Sequence, residues 1–307
     1  MRVHIPIRAG GDTHLVPEGS TRMGDVFKAD DVSDLRDWPL PGTNRPKLAA
    51  GARDRLAPRE TNGAGEAAAE SVIVEVFLTD ANGLSRGNGC RRARGLISWR
   101  RGYRCPFPFS RQDIWGRDVN AARLAHGAGD PDGLYMAIDG SSVPVSWLPQ
   151  PTTQIMLRMM ESNGAPFFAD PRTVLESVLV RFSAAGLSPI AATEIEFYLT
   201  HESELAGEAP RPRGADHRRW KGWHADALNI EALHDEGLIL ADIARFAREQ
   251  KVPIETIIRE NGPGQYEVNF SHTRDIVRVA DWTIVLKRIV RGAARRHGMD
   301  ATFMAKP

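Results

Sequence analysis

The spacing of apolar and polar residues divides this chain of 307 residues into two unequal parts. Residues 1–69 are rich in Gly, Pro, Asp and Arg and contain few periodic apolar runs, which indicates a disordered extension or a start assigned too far upstream. Beyond residue 69, short apolar runs alternate with turn residues and with amphipathic stretches. We therefore expect the folded part of the protein to begin near residue 70.

Strands are predicted where short apolar runs are bounded by turn residues. In the first half of the folded part, the predicted strands span 71–79, 84–90, 134–138 and 143–147, and a short helix is predicted over 91–101. The turn signal D-A-N-G joins the first two strands as a hairpin.

Three longer helices are predicted in the second half by apolar residues at helical spacing. The first follows the N-cap candidate Asp170, begins at Pro171 and is closed by Gly186. The second spans 239–250 and the third 275–297. The third has apolar side chains on one face and basic side chains mostly on the other, so we expect it to pack behind a sheet.

Two glutamates interrupt the apolar run 187–199. Glu194 and Glu196 are two residues apart and so lie on one face of a strand, while Ile195 and Phe197 lie on the other. Two carboxylates this close on a mostly buried strand repel each other and require a cation, a basic side chain or a shared proton. An exposed strand edge with two solvated acids is the alternative.

A second pair of glutamates, Glu260 and Glu267, flanks a predicted hairpin turn. The apolar run 253–258 and the alternating run 265–270 predict two strands, and N-G-P-G at 261–264 predicts the turn between them. If this hairpin pairs beside the strand of the first pair, four carboxylates converge. Ligands that are all oxygen suit Mg²⁺ or Mn²⁺ rather than zinc. Four unrelated surface acids are the alternative.

The sequence resembles the glutamine synthetase family in three successive blocks, which contain A-T-E-I-E-F-Y-L, E-N-G-P-G-Q-Y-E-V-N and A-T-F-M-A-K-P. The resemblance runs from about Val72 to Pro307. Further blocks at 74–87 and 129–175 resemble the start and the end of the family's amino-terminal β-grasp domain. The segment P-V-S-W-L-P-Q-P is similar to the γ-glutamylpolyamine (putrescine) synthetase branch of the family.

This resemblance implies an α+β fold with two domains. It places an amino-terminal β-grasp domain over 70–165 and an incomplete glutamine synthetase catalytic domain, which is α/β barrel-like, over 166–307. The family's next block, N-G-S-G-M-H-x-H, supplies a histidine of the second metal site and has no counterpart up to Pro307. Later arginines and a further metal-binding glutamate are missing as well, so we expect a carboxy-terminally truncated and inactive fragment.

The resemblance also implies roles for five glutamates. Glu196, Glu260 and Glu267 match the three carboxylates of the family's first metal site. Glu194 matches one ligand of the second metal site, and Glu255 matches an acid near the ATP site. The expected cofactor is Mg²⁺ or Mn²⁺, with ATP as a substrate.

The reaction that the resemblance implies is an ATP-dependent ligation. The γ-carboxylate of glutamate attacks the γ-phosphate of ATP, and ammonia or a primary amine then displaces phosphate from γ-glutamyl phosphate. Glutamate, ATP and the amine are the expected partners, and the full-length family forms homo-oligomers. Asp113 and Asp139 are both candidates for the acid that assists deprotonation of ammonia.

Composition narrows the function classes. The chain is 42% apolar and 26% charged, which is an ordinary globular balance, and its net charge of +1 gives no overall attraction to nucleic acid or membrane. No run approaches the ~20 apolar residues of a membrane helix, and the amino terminus lacks an apolar signal core. We expect a cytoplasmic protein without nucleic-acid or membrane partners.

Three hypotheses for the function follow. In the first, the chain is a fragment of a glutamine-synthetase-type ligase. In the second, it is a non-catalytic relative that keeps part of the fold for assembly or regulation. In the third, it is an unrelated metal-binding domain.

Overall fold

The computed structural model describes residues 7–8, 73–91, 102–106, 113–117, 119, 132–161, 163–201 and 227–305. Nearly all of the extension 1–69, and the predicted helix 91–101 beyond its first residue, lie outside the described residues. All described residues belong to one compact unit. No helix among them is long and apolar enough to cross a membrane.

The described elements of the first half are all strands, and helices appear among the strands in the second half. In chain order the strands are β1 (Ile7–Arg8), β2 (Ile73–Thr79), β3 (Ser85–Arg91), β4 (Tyr103–Pro106), β5 (Asp132–Ala137), β6 (Val143–Pro144), β7 (Thr152–Met160), β8 (Ser188–Pro189), β9 (Glu194–His201), β10 (Ile254–Arg259), β11 (Gln265–Phe270) and β12 (Met299–Thr302). The helices are α1 (Pro171–Ala184), α2 (Ile230–Asp235), α3 (Gly237–Glu249) and α4 (Ile276–Arg296).

The first half of the folded part forms a six-stranded mixed sheet. Its order is β3-β2-β7-β5-β4, with β6 beside β7, and only the central pair β2–β7 is parallel. The predicted hairpin of β2 and β3 is confirmed, and the carboxylate of Asp80 closes its turn by accepting hydrogen bonds from the backbone N–H groups of Asn82 and Leu84. The assignment of a β-grasp domain stays a prediction.

Two features of this sheet differ from the sequence-based expectation. Of the strand predicted over 143–147, only Val143–Pro144 pairs, because the chain turns at once after Val145. The nine-residue central strand β7 was not predicted. Seven of its nine residues are buried, so its sequence T-T-Q-I-M-L-R-M-M lacks the alternation of a half-buried strand.

The second half forms a four-stranded antiparallel sheet of order β10-β11-β9-β12. The single strand predicted over 187–199 is instead broken into β8 and β9. Pro189 has no backbone N–H to donate, and β8 pairs with β1 rather than with the larger sheet. After the break, β9 begins at Glu194 and continues to His201, two residues beyond the predicted end.

Helices α3 and α4 cover one face of this sheet, and the long helix packs behind the strands as predicted. The sheet meets the helices at fully buried side chains, which include Phe197, Val268, Ile243 and Leu286. The opposite face of the sheet is not covered by these helices and is left for polar chemistry.

All three long helices were predicted within two residues at either end. Asp170 and Asp275 cap α1 and α4 by accepting hydrogen bonds from backbone N–H groups.

A chain of polar side chains ties α4 to the six-stranded sheet. Arg288 donates to Glu75 over 2.7 Å and to the Oε1 of Gln154 over 3.0 Å. The Nε2 of Gln154 donates to Gln250, and Gln250 donates to the carbonyl oxygen of Pro144. Arg288, on the predominantly basic side of this helix, therefore joins the helix to the six-stranded sheet.

Candidate cation site

Strand register brings three of the four predicted ligands onto one face of the smaller sheet. Strand β11 lies between β9 and β10, and Glu267 on β11 pairs directly with Glu196 on β9. One step along, Asn269 pairs with Glu194. Directly paired residues lie on the same face, with Cβ atoms about 4.5–5.5 Å apart. The carboxylates of Glu194, Glu196 and Glu267 therefore share the face that the helices do not cover.

The fourth acid, Glu260, joins this face from the turn after β10. Its backbone N–H donates to the carbonyl oxygen of Gln265 over 3.0 Å, which continues the ladder one residue beyond β10. Tyr198 on β9 shows how close the acids are, because its phenol pKa is raised by burial and then by the charges of Glu196 and Glu260. The four glutamates that the sequence picked out thus lie together, and we call them the carboxylate face.

The carboxylate face is open rather than buried, which corrects the expectation of a mostly buried strand. Glu196 is exposed, and Glu194, Glu260 and Glu267 are half-buried. The apolar residues of the run lie on the other face, where Phe197 is completely buried. An open face allows a ligand to reach the acids from solvent.

The acids of this face act on one another electrostatically. Burial raises the pKa of Glu267, the hydrogen bond from Asn269 lowers it, and the charges of Glu194, Glu260 and Glu196 raise it further. Arg259, at the end of β10, donates to the backbone carbonyl oxygens of Gly262 and Gln265 and sits over the ring of Tyr266 on the helix-covered side. Arg259 stabilises the turn through these bonds, and its positive charge lowers the pKa of Tyr198, against the effect of burial and of the acids.

The donors on this face fit a hard divalent cation in ligand chemistry and in strand register. Four carboxylates and the amide of Asn269 offer oxygen atoms only, as Mg²⁺ and Mn²⁺ prefer. The Oδ1 atom of Asn269 is buried and has no hydrogen-bond partner among the described residues. Across the described ranges, no three His, Cys, Asp or Glu side chains are already closed into a coordinating group.

The raised pKa of Glu267 predicts how stability depends on pH without divalent cations. At pH values above 4.5, the ordinary pKa of this side chain, Glu267 keeps a proton in the folded chain that it has already lost in the unfolded chain. The free energy of unfolding therefore falls as the pH rises from 4.5 through the raised pKa. Glu267→Gln removes this contribution. Urea unfolding in EDTA at stepped pH values is the measurement, and the difference between wild type and Glu267→Gln is the quantity of interest. A difference that does not grow with pH contradicts the prediction.

The fifth glutamate lies apart from the carboxylate face. The pairing of β10 with β11 shifts between Ile254 and Thr256, which leaves Glu255 in a bulge. Its side chain is exposed and accepts a hydrogen bond from the hydroxyl of Ser271 over 3.0 Å. Its predicted place near ATP stays a prediction.

The two candidate aspartates are both found in turns. Asp113 accepts hydrogen bonds from the backbone N–H groups of Trp115 and Arg117, and Asp139 is exposed in the turn after β5. The choice between them for a role in deprotonation stays open.

Three polar residues of this face were not singled out from the sequence: Tyr198, Gln265 and Asn269. Each lies two residues from a predicted ligand on the same strand, Tyr198 from Glu196 and the two amides from Glu267. The period of two that placed the glutamates also places these side chains on their face.

Comparisons with known proteins show which family the chain resembles. The family model "Glutamine synthetase, catalytic domain" matches residues 168–307. The chain is 35% identical over 239 residues to the γ-glutamylputrescine synthetase PuuA of Escherichia coli (strain K12), covering 76% of this chain and 49% of that protein. It is 29% identical over 180 residues to a glutamate–isopropylamine ligase of Pseudomonas sp, covering 59% of this chain and 38% of that protein.

A solved structure shares the fold. The structure described as a GmaS/ADP complex superposes with a TM-score of 0.62 at 24% sequence identity, covering 80% of this chain and 51% of that one. The chain thus spans about half the length of the relatives it matches. The comparisons favour the branch with amine ligases that the P-V-S-W-L-P-Q-P segment indicated.

Proposed function

This chain belongs to the glutamine synthetase family, and we propose that it carries the cation-binding part of an ATP-dependent ligase that joins an amine to the γ-carboxylate of glutamate. The ligation itself is proposed for the complete family fold, of which this chain spans about half. γ-Glutamyl phosphate is the proposed intermediate of that reaction.

The observation that carries the proposal is the direct pairing of Glu196 with Glu267, beside Glu260 and Glu194, on an open face. Glu196, Glu260 and Glu267 would hold one Mg²⁺ or Mn²⁺, and Glu194 would contribute to a second. A bound divalent cation neutralises charge that develops as a phosphoryl group moves between two anionic partners. The chain's own contribution is to hold several carboxylates close together, and burial first and then the charges of Glu194, Glu260 and Glu196 raise the pKa of Glu267 there.

The amine substrate is proposed to be organic rather than ammonia. The γ-glutamylputrescine synthetase and the glutamate–isopropylamine ligase are both named for organic amines, and both are similar to this chain over more than half its length. The chain is also 30% identical over 156 residues to a glutamine synthetase of Thermotoga maritima (strain ATCC 43589 / DSM 3109 / JCM 10099 / NBRC 100826 / MSB8), so ammonia is the competing substrate that an assay includes.

The six-stranded sheet is proposed to be the family's β-grasp domain, covering 70–165, ahead of a catalytic domain over 166–307. Its parallel central pair β2–β7, flanked by antiparallel strands, supports this assignment. A homo-oligomer is proposed for the complete fold.

Nucleotide binding tests the proposed function without requiring turnover. We expect a fluorescent ATP analogue to bind this chain in the presence of Mn²⁺ and to be displaced by ATP. Glu255→Gln is expected to weaken nucleotide binding several-fold while leaving Mn²⁺ affinity unchanged, because Glu255 lies apart from the carboxylate face. Glu231→Gln, at an exposed acid in the first turn of α2, is the matched control. Absence of Mn²⁺-dependent nucleotide binding contradicts the proposal.

A further inference from the structure

Two amide side chains on β11 each hold one of the carboxylates. The Nε2 of Gln265 donates to the Oε2 of Glu196 over 3.0 Å, and the Nδ2 of Asn269 donates to the Oε1 of Glu267 over 3.1 Å. In both cases the amide contacts one carboxylate oxygen. The other oxygen, Oε1 of Glu196 and Oε2 of Glu267, has no hydrogen bond from these two amides and can take a further ligand.

Gln265 is built into its position by more than this one contact. It is only 8% exposed, and its Oε1 accepts a hydrogen bond from the backbone N–H of Gly262 over 2.8 Å. Gly262 belongs to the turn that follows Glu260. One side chain therefore links the carboxylate of Glu196 to the turn that carries Glu260, so two acids on different elements are held by the same group.

Asn269 is held at the other end of the face. It pairs directly with Glu194, its Nδ2 is engaged by Glu267, and its Oδ1 is buried without a hydrogen-bond partner among the described residues. Leaving a buried amide oxygen unpaired costs about 1–3 kcal/mol. The N–H₂ group of this amide is therefore the end that contacts Glu267, and its oxygen is the end without a hydrogen bond among the described residues.

We propose that Gln265 and Asn269 are positioning residues, which set the affinity of the carboxylate face for a divalent cation by fixing Glu196 and Glu267. This inference rests on the proposed function, because it presupposes that the face binds a cation. Glutamate side chains rotate about three bonds, and two like charges directly opposite each other on a sheet repel. Without an amide on each, the pair is expected to separate into solvent, and a cation must then reassemble it.

The expected loss of cation affinity is estimated from residues that orient metal ligands in other proteins. Replacing a residue that orients a ligand typically weakens metal binding about 10–100-fold. A residue that only stabilises the turn would lower the folded fraction and leave the affinity of the folded chain unchanged. Affinity and stability measured on the same variants therefore separate the two roles.

The test compares Gln265→Met with Gln250→Met. Both substitutions remove a buried amide while keeping the length of the side chain, but Gln250 bonds to Gln154 and to the carbonyl oxygen of Pro144, away from the carboxylate face. Asn269→Leu tests the second amide independently of the turn. Asn269→Gln, which keeps an N–H₂ donor, is the variant expected to recover part of the affinity.

Mn²⁺ is the probe, and free Mn²⁺ is counted by electron paramagnetic resonance while thermal unfolding in EDTA reports the folded fraction. We expect Gln265→Met and Asn269→Leu each to weaken Mn²⁺ binding about 10–100-fold. We expect Gln250→Met to leave it within about 2-fold. The water-proton relaxation caused by each bound Mn²⁺ is expected to rise in the two variants, because water replaces a carboxylate that is no longer held.

The outcomes distinguish the inference from the function on which it rests. Wild-type affinity in folded Gln265→Met and Asn269→Leu overturns the inference and leaves the cation site standing. Equal losses in Gln265→Met and Gln250→Met also overturn it, because the effect is then one of general stability. A wild-type chain that binds no Mn²⁺ overturns the proposed cation site and the positioning roles together.

Discussion

Glu267→Gln is expected to abolish Mn²⁺ binding while making the cation-free chain more stable near neutral pH. The substitution removes a charged ligand without changing the size of the side chain. It also removes a carboxylate whose pKa is raised by burial and by three neighbouring acids, so the repulsion within the folded face decreases. Loss of binding in a more stable protein cannot be attributed to unfolding.

The measurement is a Mn²⁺ titration followed by electron paramagnetic resonance, paired with urea unfolding in EDTA. Glu231→Gln on α2 neutralises an exposed acid outside the carboxylate face and is expected to change neither result. Unchanged Mn²⁺ binding in Glu267→Gln would show that the ion is held elsewhere. Reduced stability of this variant at neutral pH would contradict the electrostatic explanation.

Assayed alone, the 307-residue chain is expected to form no γ-glutamyl product from ATP, glutamate and putrescine, isopropylamine or ammonia. Phosphoryl transfer requires cations and cationic side chains that hold the transferring group, and loss of one such contributor typically costs about 10²–10³ in rate. The chain spans about half the length of the γ-glutamylputrescine synthetase it resembles. Losses of several contributors that act together do not add simply, but here they are expected to leave no measurable rate.

A second experiment tests whether activity can be restored, by fusing the remaining half of that synthetase after Pro307. The fused chain is expected to make product with an organic amine in preference to ammonia, and Glu196→Ala is expected to remove the activity. Gln250→Met in the fused chain is the control for a substitution away from the face. Turnover above background by the 307-residue chain alone would contradict the expectation, and so would product formation that survives Glu196→Ala.

Much of the carboxylate face was predictable from local patterns. The turn residues N-G-P-G fixed the hairpin, and spacing by two placed Glu194 with Glu196 on one side of a strand. What local patterns could not supply is the register between strands that are distant in sequence. The direct pairing of Glu196 with Glu267 depends on 70 residues of intervening chain, and a shift by one residue would turn Glu267 to the helices.

The exposure of this face was wrongly predicted for a related reason. An apolar run shows that a strand contacts a core, but it does not show whether one face or both faces do. Here α3 and α4 cover one face, and Glu196 on the other is exposed.

Burial of polar groups was equally hard to predict. Gln154 on β7 is only 1% exposed because Arg288 and Gln250 satisfy its amide, and both partners are far away in the sequence. A buried polar residue with such partners interrupts the continuous run of apolar residues by which a central strand is recognised in a sequence. The strand β7 was missed both because of such polar residues and because burial of seven of its nine residues removes the alternation of a half-buried strand.

The central claim is that the carboxylate face of β9 and β11 binds a divalent cation. Anomalous diffraction from crystals of the chain soaked in Mn²⁺ tests it most directly, because it locates the ion without assuming any ligand. The account predicts an anomalous peak within coordinating distance of Glu196, Glu260 and Glu267, and no such peak in crystals of Glu267→Gln. A Mn²⁺ peak at other residues, with the carboxylate face empty, would contradict it.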